Sequence, residues 1–213
     1  MKKIIALTMT LTALPAMAVE NYAAQSGVYG GVNYTYQSGI GDNSGESSNG
    51  YGLTLGGSPL KWLDLEVKSE FSTINLNNED STFNNILKFD GYTATNNQLE
   101  LAAIPYYGVN NVWGLYSRVA IGQNWANNLT DFTYGSIEPG VYFAPKGQKN
   151  STQINVGYRY RGSFDNDVNY NTNSAILKGE YAFNDRDSIV GQYEYVSGDV
   201  EYNLFRIGYL ARF

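Results

Sequence analysis

Residues 205–213 read FRIGYLARF, and the sequence stops there on an aromatic residue. Phe205, Ile207, Tyr209, Ala211 and Phe213 alternate with Arg206, Gly208, Leu210 and Arg212. A period of two describes a β-strand with one apolar face. Such a face at a chain terminus needs lipid or a partner strand to cover it. The opposite end of the chain leads to the same environment. Lys2 and Lys3 precede an apolar run from Ile4 to Leu14, and Ala16-Met17-Ala18 forms a small-x-small cleavage site. That is the layout of a secretory signal peptide. The apolar run is well short of the roughly 18 residues that read as a membrane-spanning helix. We expect residues 1–18 to be removed and 19–213 to form one domain.

The terminal stretch fits the pattern polar-x-Gly-x-x-aromatic-x-aromatic through Arg206, Gly208 and Phe213, with Ala211 standing where the first aromatic belongs. It resembles the C-terminal assembly signal of Gram-negative outer-membrane β-barrel proteins. The resemblance implies an outer-membrane location with both termini periplasmic. It also implies outer-membrane lipid and lipopolysaccharide as surroundings. The barrel assembly machinery would receive the last strand through Arg206, Gly208, Tyr209 and Phe213.

Alternation recurs along the chain in segments of about ten residues separated by turn-rich stretches, as transmembrane barrels require. The expected strands are 27–38, 49–57, 62–73, 97–107, 112–123, 135–144, 152–162, 173–183, 188–197 and 201–213. The fold class is therefore all-β: a single antiparallel up-and-down barrel of ten strands. Eight or twelve stay open, because Phe83 to Asp90 is able to extend a hairpin or add a strand. Short connections fall at Ser58–Lys61, Val109–Asn111, Pro145–Asn150, Asn184–Asp187 and Ser197–Asp199. Longer polar ones fall at Gly39–Ser48, Asn75–Asn96, Trp125–Tyr134 and Ser163–Thr172. Aromatic girdles are expected at Trp62, Tyr107, Trp113, Phe143, Phe183 and Phe213 on one side. On the other they are Tyr34, Tyr36, Phe71, Trp125, Tyr160 and Tyr195.

Composition narrows the chemistry. Without Lys2 and Lys3 the chain carries net charge −8, twelve basic residues against twenty acidic. That excludes the basic footprint of a nucleic-acid binder. There is no cysteine and no histidine, which removes the thiol nucleophile, the commonest general base and the commonest metal ligand. Glu66 with Glu70 or Glu100 would lie at mid-membrane beside Lys68, away from the mouth where a polymer arrives, so we expect no catalytic residue. Asp165-x-Asp167-x-Asn169 is similar to the start of a calcium loop, but Tyr170 replaces the required Gly and Ile176 the bidentate Glu. Neither a metal nor a cofactor is expected.

Parity assigns the faces. Leu63, Leu65, Val67 and Phe71, with Leu99, Leu101, Leu115, Val119, Ile121, Ile154, Val156, Tyr158 and Tyr160, point to lipid. Acidic residues collect on the other face: Asp64, Glu66, Glu70, Glu100, Glu138, Glu180 and Glu194. So do basic ones: Lys68, Arg118, Arg159, Arg161, Lys178, Arg206 and Arg212. Acids gather on the third and fourth strands and arginines on the fifth, seventh and tenth. Separated walls of this kind would line a pore. Small residues such as Gly31, Gly50, Gly52, Gly56, Gly114, Gly122, Gly157 and Gly208 are expected to leave it room. Alternatively the charges pair and fill the interior, Arg159 and Arg161 reaching Glu138 or Glu180. Arg159-Tyr160-Arg161 and Phe205-Arg206-Ile207-Gly208 also bear a loose similarity, over two strands only, to twelve-stranded acidic-oligosaccharide porins. Strand number and charge balance depart from that group. The expected function is a low-conductance, porin-like channel for passive diffusion of small polar or charged solutes. The alternative is a closed barrel that binds surfaces through its loops.

Overall fold

The computed structural model describes residues 27–39, 47–75, 93–110, 112–127, 131–144, 152–165, 168 and 170–213. The expected signal peptide, Phe83 to Asp90, and Asp167 with Asn169 of the calcium-like stretch lie outside the described residues. Ten strands follow in chain order: β1 (Gly27–Ser38), β2 (Ser47–Leu60), β3 (Leu63–Asn75), β4 (Thr93–Gly108), β5 (Trp113–Asn127), β6 (Phe132–Phe143), β7 (Gln153–Ser163), β8 (Asn171–Ala182), β9 (Asp187–Gly198) and β10 (Tyr202–Arg212). Each pairs antiparallel with its chain neighbours, and β10 pairs with β1 to close the barrel. Tyr29 sits opposite Arg212, so the first and last strands begin and end at the same rim, called here the terminal rim.

Period-two alternation decides the faces. On β2 the outward Tyr51, Leu53 and Leu55 are 67%, 59% and 64% exposed, while Ser48, Gly50 and Gly52, of the opposite parity, are buried. The same contrast runs round the barrel, through Leu101 on β4, Ile121 on β5, Tyr158 on β7 and Ile207 on β10. A continuous apolar surface of this extent is intolerable in water. Hydrocarbon accepts it, because closure leaves no unpaired backbone edge. The girdle aromatics Tyr34, Tyr36, Phe71, Trp125, Tyr160 and Tyr195 point outward near the far rim, and Trp113, Phe143, Phe183 and Phe213 near the terminal rim. Near the far rim, outward tyrosine hydroxyls are latched across hairpins: Tyr158 donates to Asn173 and Tyr160 to Asn171 at 3.0 Å, Tyr193 to Asn203 at 2.8 Å.

Three expected connections are shorter than their sequence suggests. Trp125–Tyr134 is mostly strand, because β5 runs to Asn127 and β6 starts at Phe132. Thr93 to Asn96, read as loop, opens β4. Ser58 to Leu60 stays within β2, and the register shift between Gly57 and Leu60 absorbs Pro59 as a bulge. The tight turns are side-chain built. Asn110 Oδ1 accepts the N–H groups of Val112 and Trp113 at 2.8 and 3.0 Å. Asn184 Oδ1 does the same for Arg186 and Asp187 at 2.7 and 2.9 Å.

The β9–β10 turn depends on Gly198, whose φ of 126° is foreign to L side chains, and a Cβ there would lie 2.5 Å from the carbonyl oxygen of Asn171. Gly198→Ala will therefore cost about 1–3 kcal/mol. A urea-unfolding midpoint on the refolded barrel checks this; an unchanged midpoint would contradict it.

Inward tyrosines fill the interior. Tyr29 stands opposite Gly56, and Tyr134, Tyr142 and Tyr116 stand opposite Gly122, Gly114 and Gly140. In each case the ring lies over the partner glycine, where a Cβ would run into it. These four glycines thus do not open space, whereas Gly31 and Gly208 border the central cavity. Gly157 is covered by Tyr116 and Gly52 by the Asn33 amide, and a Cβ at Gly31, Gly50 or Gly208 would lie within 2.8 Å of neighbouring backbone oxygen.

Candidate functional site in the lumen

The interior is layered. Toward the terminal rim Ile104, Tyr116, Tyr142 and Ala144 form an apolar cluster with Tyr106 against it, the Tyr106 and Tyr142 rings meeting edge-on at 5.8 Å. Toward the far rim Phe132, Tyr134, Val196, Tyr202 and Leu204 form another, completed by Val168 and Tyr170 of the β7–β8 connection and Val200 of the β9–β10 turn. The Phe132 and Tyr170 rings meet at a tilt of 43° with centroids 5.0 Å apart.

Between these clusters lies a layer of charge. Arg118 on β5 reaches Glu66 on β3 at 3.0 Å and Glu100 on β4 at 2.6 Å. Arg161 on β7 faces Glu100 at 3.7 Å, and its guanidinium lies 4.7 Å from the centroid of the Tyr134 ring. Arg159, also on β7, holds Glu138 at 2.6 Å and Glu194 at 3.1 Å. Glu70 on β3 takes both Lys68 and Arg206, each at 2.8 Å. Tyrosine hydroxyls complete the carboxylates: Tyr116 donates to Glu138 at 2.8 Å and Tyr134 to Glu100 at 3.0 Å. Charges this buried persist because each carboxylate has cationic and hydroxyl partners. Glu180, by contrast, is taken at the terminal rim by Arg212 and by the Ser188 hydroxyl at 2.9 Å. Asp64 accepts from Ser58.

The acidic and basic walls are therefore not separated. In a barrel of ten strands the lumen is narrow enough for β3 and β4 carboxylates to meet β5, β7 and β10 cations across it. Glu180 pairs with Arg212 rather than with Arg159 or Arg161: it lies on the terminal-rim side of the layer, opposite Val190.

What remains is a central cavity of 160 Å³, bordered by residues of all ten strands. A second cavity of 40 Å³ lies nearer the terminal rim and shares Glu66, Ile104, Tyr106, Asn155, Lys178 and Leu210 with the first. Space on this scale holds several waters. The far-rim aromatic cluster is built on the β6, β9 and β10 side, and its Tyr202 and Leu204 border the cavity together with Asn33, Gln37, Glu70 and Gln98 of β1, β3 and β4.

No family model and no curated protein matches the chain. Solved structures do. An outer-membrane channel from Pseudomonas putida F1 is 13% identical over 92% of this chain and 100% of its own, with a TM-score of 0.57. The β domain of the Bordetella autotransporter BrkA is 12% identical over 88% and 99%, at 0.53. The translocator domain of the autotransporter NalP from Neisseria meningitidis is 10% identical over 100% and 95%, at 0.50. The fold is that of outer-membrane β-barrels. At such identities the likeness is one of fold.

The thirteen charged residues named above, from Asp64 to Arg206, border the two lumenal cavities. Eleven border the central cavity, while Asp64 and Glu180 border only the smaller one. Of the expected assembly residues, Arg206 and Gly208 lie on the inward face of β10 and Tyr209 and Phe213 on the outward side. The sequence reading missed the inward tyrosines. Tyr116 shares parity with Arg118 and Tyr134 with Glu138, a signal obscured by assigning tyrosine to the girdles. Among the described residues no group of acidic side chains is placed to hold a metal ion. Asp165 is engaged in accepting the Thr133 N–H at 2.7 Å.

Proposed function

We propose that this protein is a small, low-conductance channel of the bacterial outer membrane, passing small polar or charged solutes by passive diffusion. The observation that carries this reading is the pair of adjoining cavities inside the charged lumen, bordered by arginine, lysine, glutamate and amide side chains. Residues 1–18 direct export, residues 19–213 form the barrel, and both termini face the periplasm. Lipopolysaccharide surrounds the far rim, and the assembly machinery receives β10.

The filled glycine positions and the aromatic cluster at the far rim favour a second reading: a lumen shut by its own side chains, with function moved to the surface loops. Single-channel recording of the refolded mature protein in a planar bilayer separates the two. The channel reading expects small discrete steps. A silent bilayer holding folded protein would overturn it and favour surface recognition. Arg159 is a poor probe, since its loss strands Glu138 and Glu194. Arg161 holds one carboxylate, at 3.7 Å, and is the cleaner one. Arg161→Gln will change the reversal potential in a salt gradient, by roughly a threefold change in permeability ratio for one lumenal charge. An unchanged potential would remove Arg161 from the conduction path.

A further inference from the structure

The chain as a whole is acidic, with a net charge of −6, yet the central cavity is not. Five carboxylates border it: Glu66, Glu70, Glu100, Glu138 and Glu194. Each holds a cation at ion-pair distance. Six lysine and arginine side chains border the same cavity, one more than the acids. Among the described residues the extra one is Lys178: no carboxylate lies within 4.0 Å of its ammonium, whereas the other five each pair with one.

Lys178 occupies the junction of the two cavities and borders both. Its strand neighbours across the ladders are Asn155 on β7 and Gln192 on β9, which also border the central cavity. Gln153 donates to Asn155 Oδ1 at 2.7 Å, which leaves the Asn155 NH2 group as the donor that can turn toward a ligand. The acids that share the smaller cavity with Lys178 are Glu66, paired with Arg118 at 3.0 Å, Glu180, paired with Arg212, and Asp64, which accepts from the Ser58 hydroxyl; the Lys178 charge acts on Glu66 and Asp64 only from beyond ion-pair distance.

We propose that Lys178, with the Asn155 amide beside it, forms a binding site inside the lumen for a small monovalent anion of the carboxylate class, and that this site makes the conduit prefer anions to cations. The preference rests on the channel reading; the binding does not. Acidic rims and an overall negative charge would by themselves favour cations, so the sign of the selectivity is diagnostic.

The test uses the refolded mature barrel and Lys178→Gln, which strands no carboxylate in an ion pair. In a potassium chloride gradient the wild type will be anion-selective. In Lys178→Gln the anion-to-cation permeability ratio will fall about threefold, the effect of one charge several ångströms from the path in a water-like dielectric. A cation-selective wild type, or an unaltered ratio in the variant, overturns the proposal while leaving a channel in place. If the bilayer is silent, the channel reading fails and binding is read by thermal melting in detergent. Sodium acetate is then compared with sodium gluconate, the same charge on a much longer chain, at equal ionic strength. Acetate will raise the wild-type melting temperature above its value in gluconate and leave Lys178→Gln unmoved. Equal melting in both salts overturns the site, and a rise that persists in Lys178→Gln assigns the anion elsewhere.

Discussion

Replacing Arg118 by methionine will destabilise the barrel by about 3–5 kcal/mol, the cost of leaving buried carboxylates without their counter-ion. Arg118 is almost fully buried and bridges Glu66 at 3.0 Å and Glu100 at 2.6 Å. Methionine keeps much of its volume, so the loss is mainly electrostatic. Glu100 retains Arg161 at 3.7 Å and the Tyr134 hydroxyl at 3.0 Å. Glu66 keeps only weaker help, with the Tyr29 hydroxyl at 3.5 Å, and carries most of the damage. The urea midpoint of unfolding in lipid vesicles reads the effect. Adding Glu66→Gln to Arg118→Met will restore most of the stability, because it removes the stranded carboxylate while Glu100 keeps Arg161. A single variant as stable as the wild type would show that water screens the cluster. A double variant no better than the single one would assign the loss to packing.

Tyr134→Ala is the second large effect, about 3–5 kcal/mol for deleting a buried aromatic ring. The side chain is 1% exposed and joins three kinds of contact. It packs beside Phe132 with centroids 6.2 Å apart, lies under the Arg161 guanidinium at 4.7 Å, and donates to Glu100 at 3.0 Å. It also covers Gly122 and accepts from Gln98. Tyr134→Phe keeps the ring and loses the hydroxyl, and will cost about 1 kcal/mol or slightly more. The two variants separate packing from hydrogen bonding by the same urea measurement. Equal losses would place the whole effect in the hydroxyl. If the lumen conducts, Tyr134→Ala will also raise the single-channel conductance, because the far-rim cluster loses its central ring.

Strand positions were legible because a two-residue period is a strong signal. Residues 27–38 form β1 as expected, and β9 extends the expected 188–197 by one residue at each end. The faces followed from the same period, down to the inward placing of every mid-strand charge. The errors lie where local composition and long-range geometry conflict. The polar stretch Trp125 to Tyr134 reads as loop, yet Trp125, Ala126 and Asn127 continue β5, and Phe132 to Tyr134 open β6. Parity names the face of a side chain but not its partner across a lumen. Arg206 on β10 finding Glu70 on β3 depends on strand tilt and barrel width, which no local pattern encodes. The glycines misled for a related reason. Their smallness was visible, but its use was not until the register set a tyrosine opposite each of four of them.

Those tyrosine–glycine pairs make the alignment of neighbouring strands self-checking. A slip of two residues between β5 and β6 preserves the inward and outward faces, so hydrophobicity alone would not detect it. It would, however, set Tyr134 against Ala120 or Asn124 in place of Gly122, where the ring has no bed. The same displacement would move Tyr116 off Gly140 and Tyr142 off Gly114 together. One misalignment is thus penalised three times along a single seam, and the interior proofreads an order that the apolar exterior would leave ambiguous.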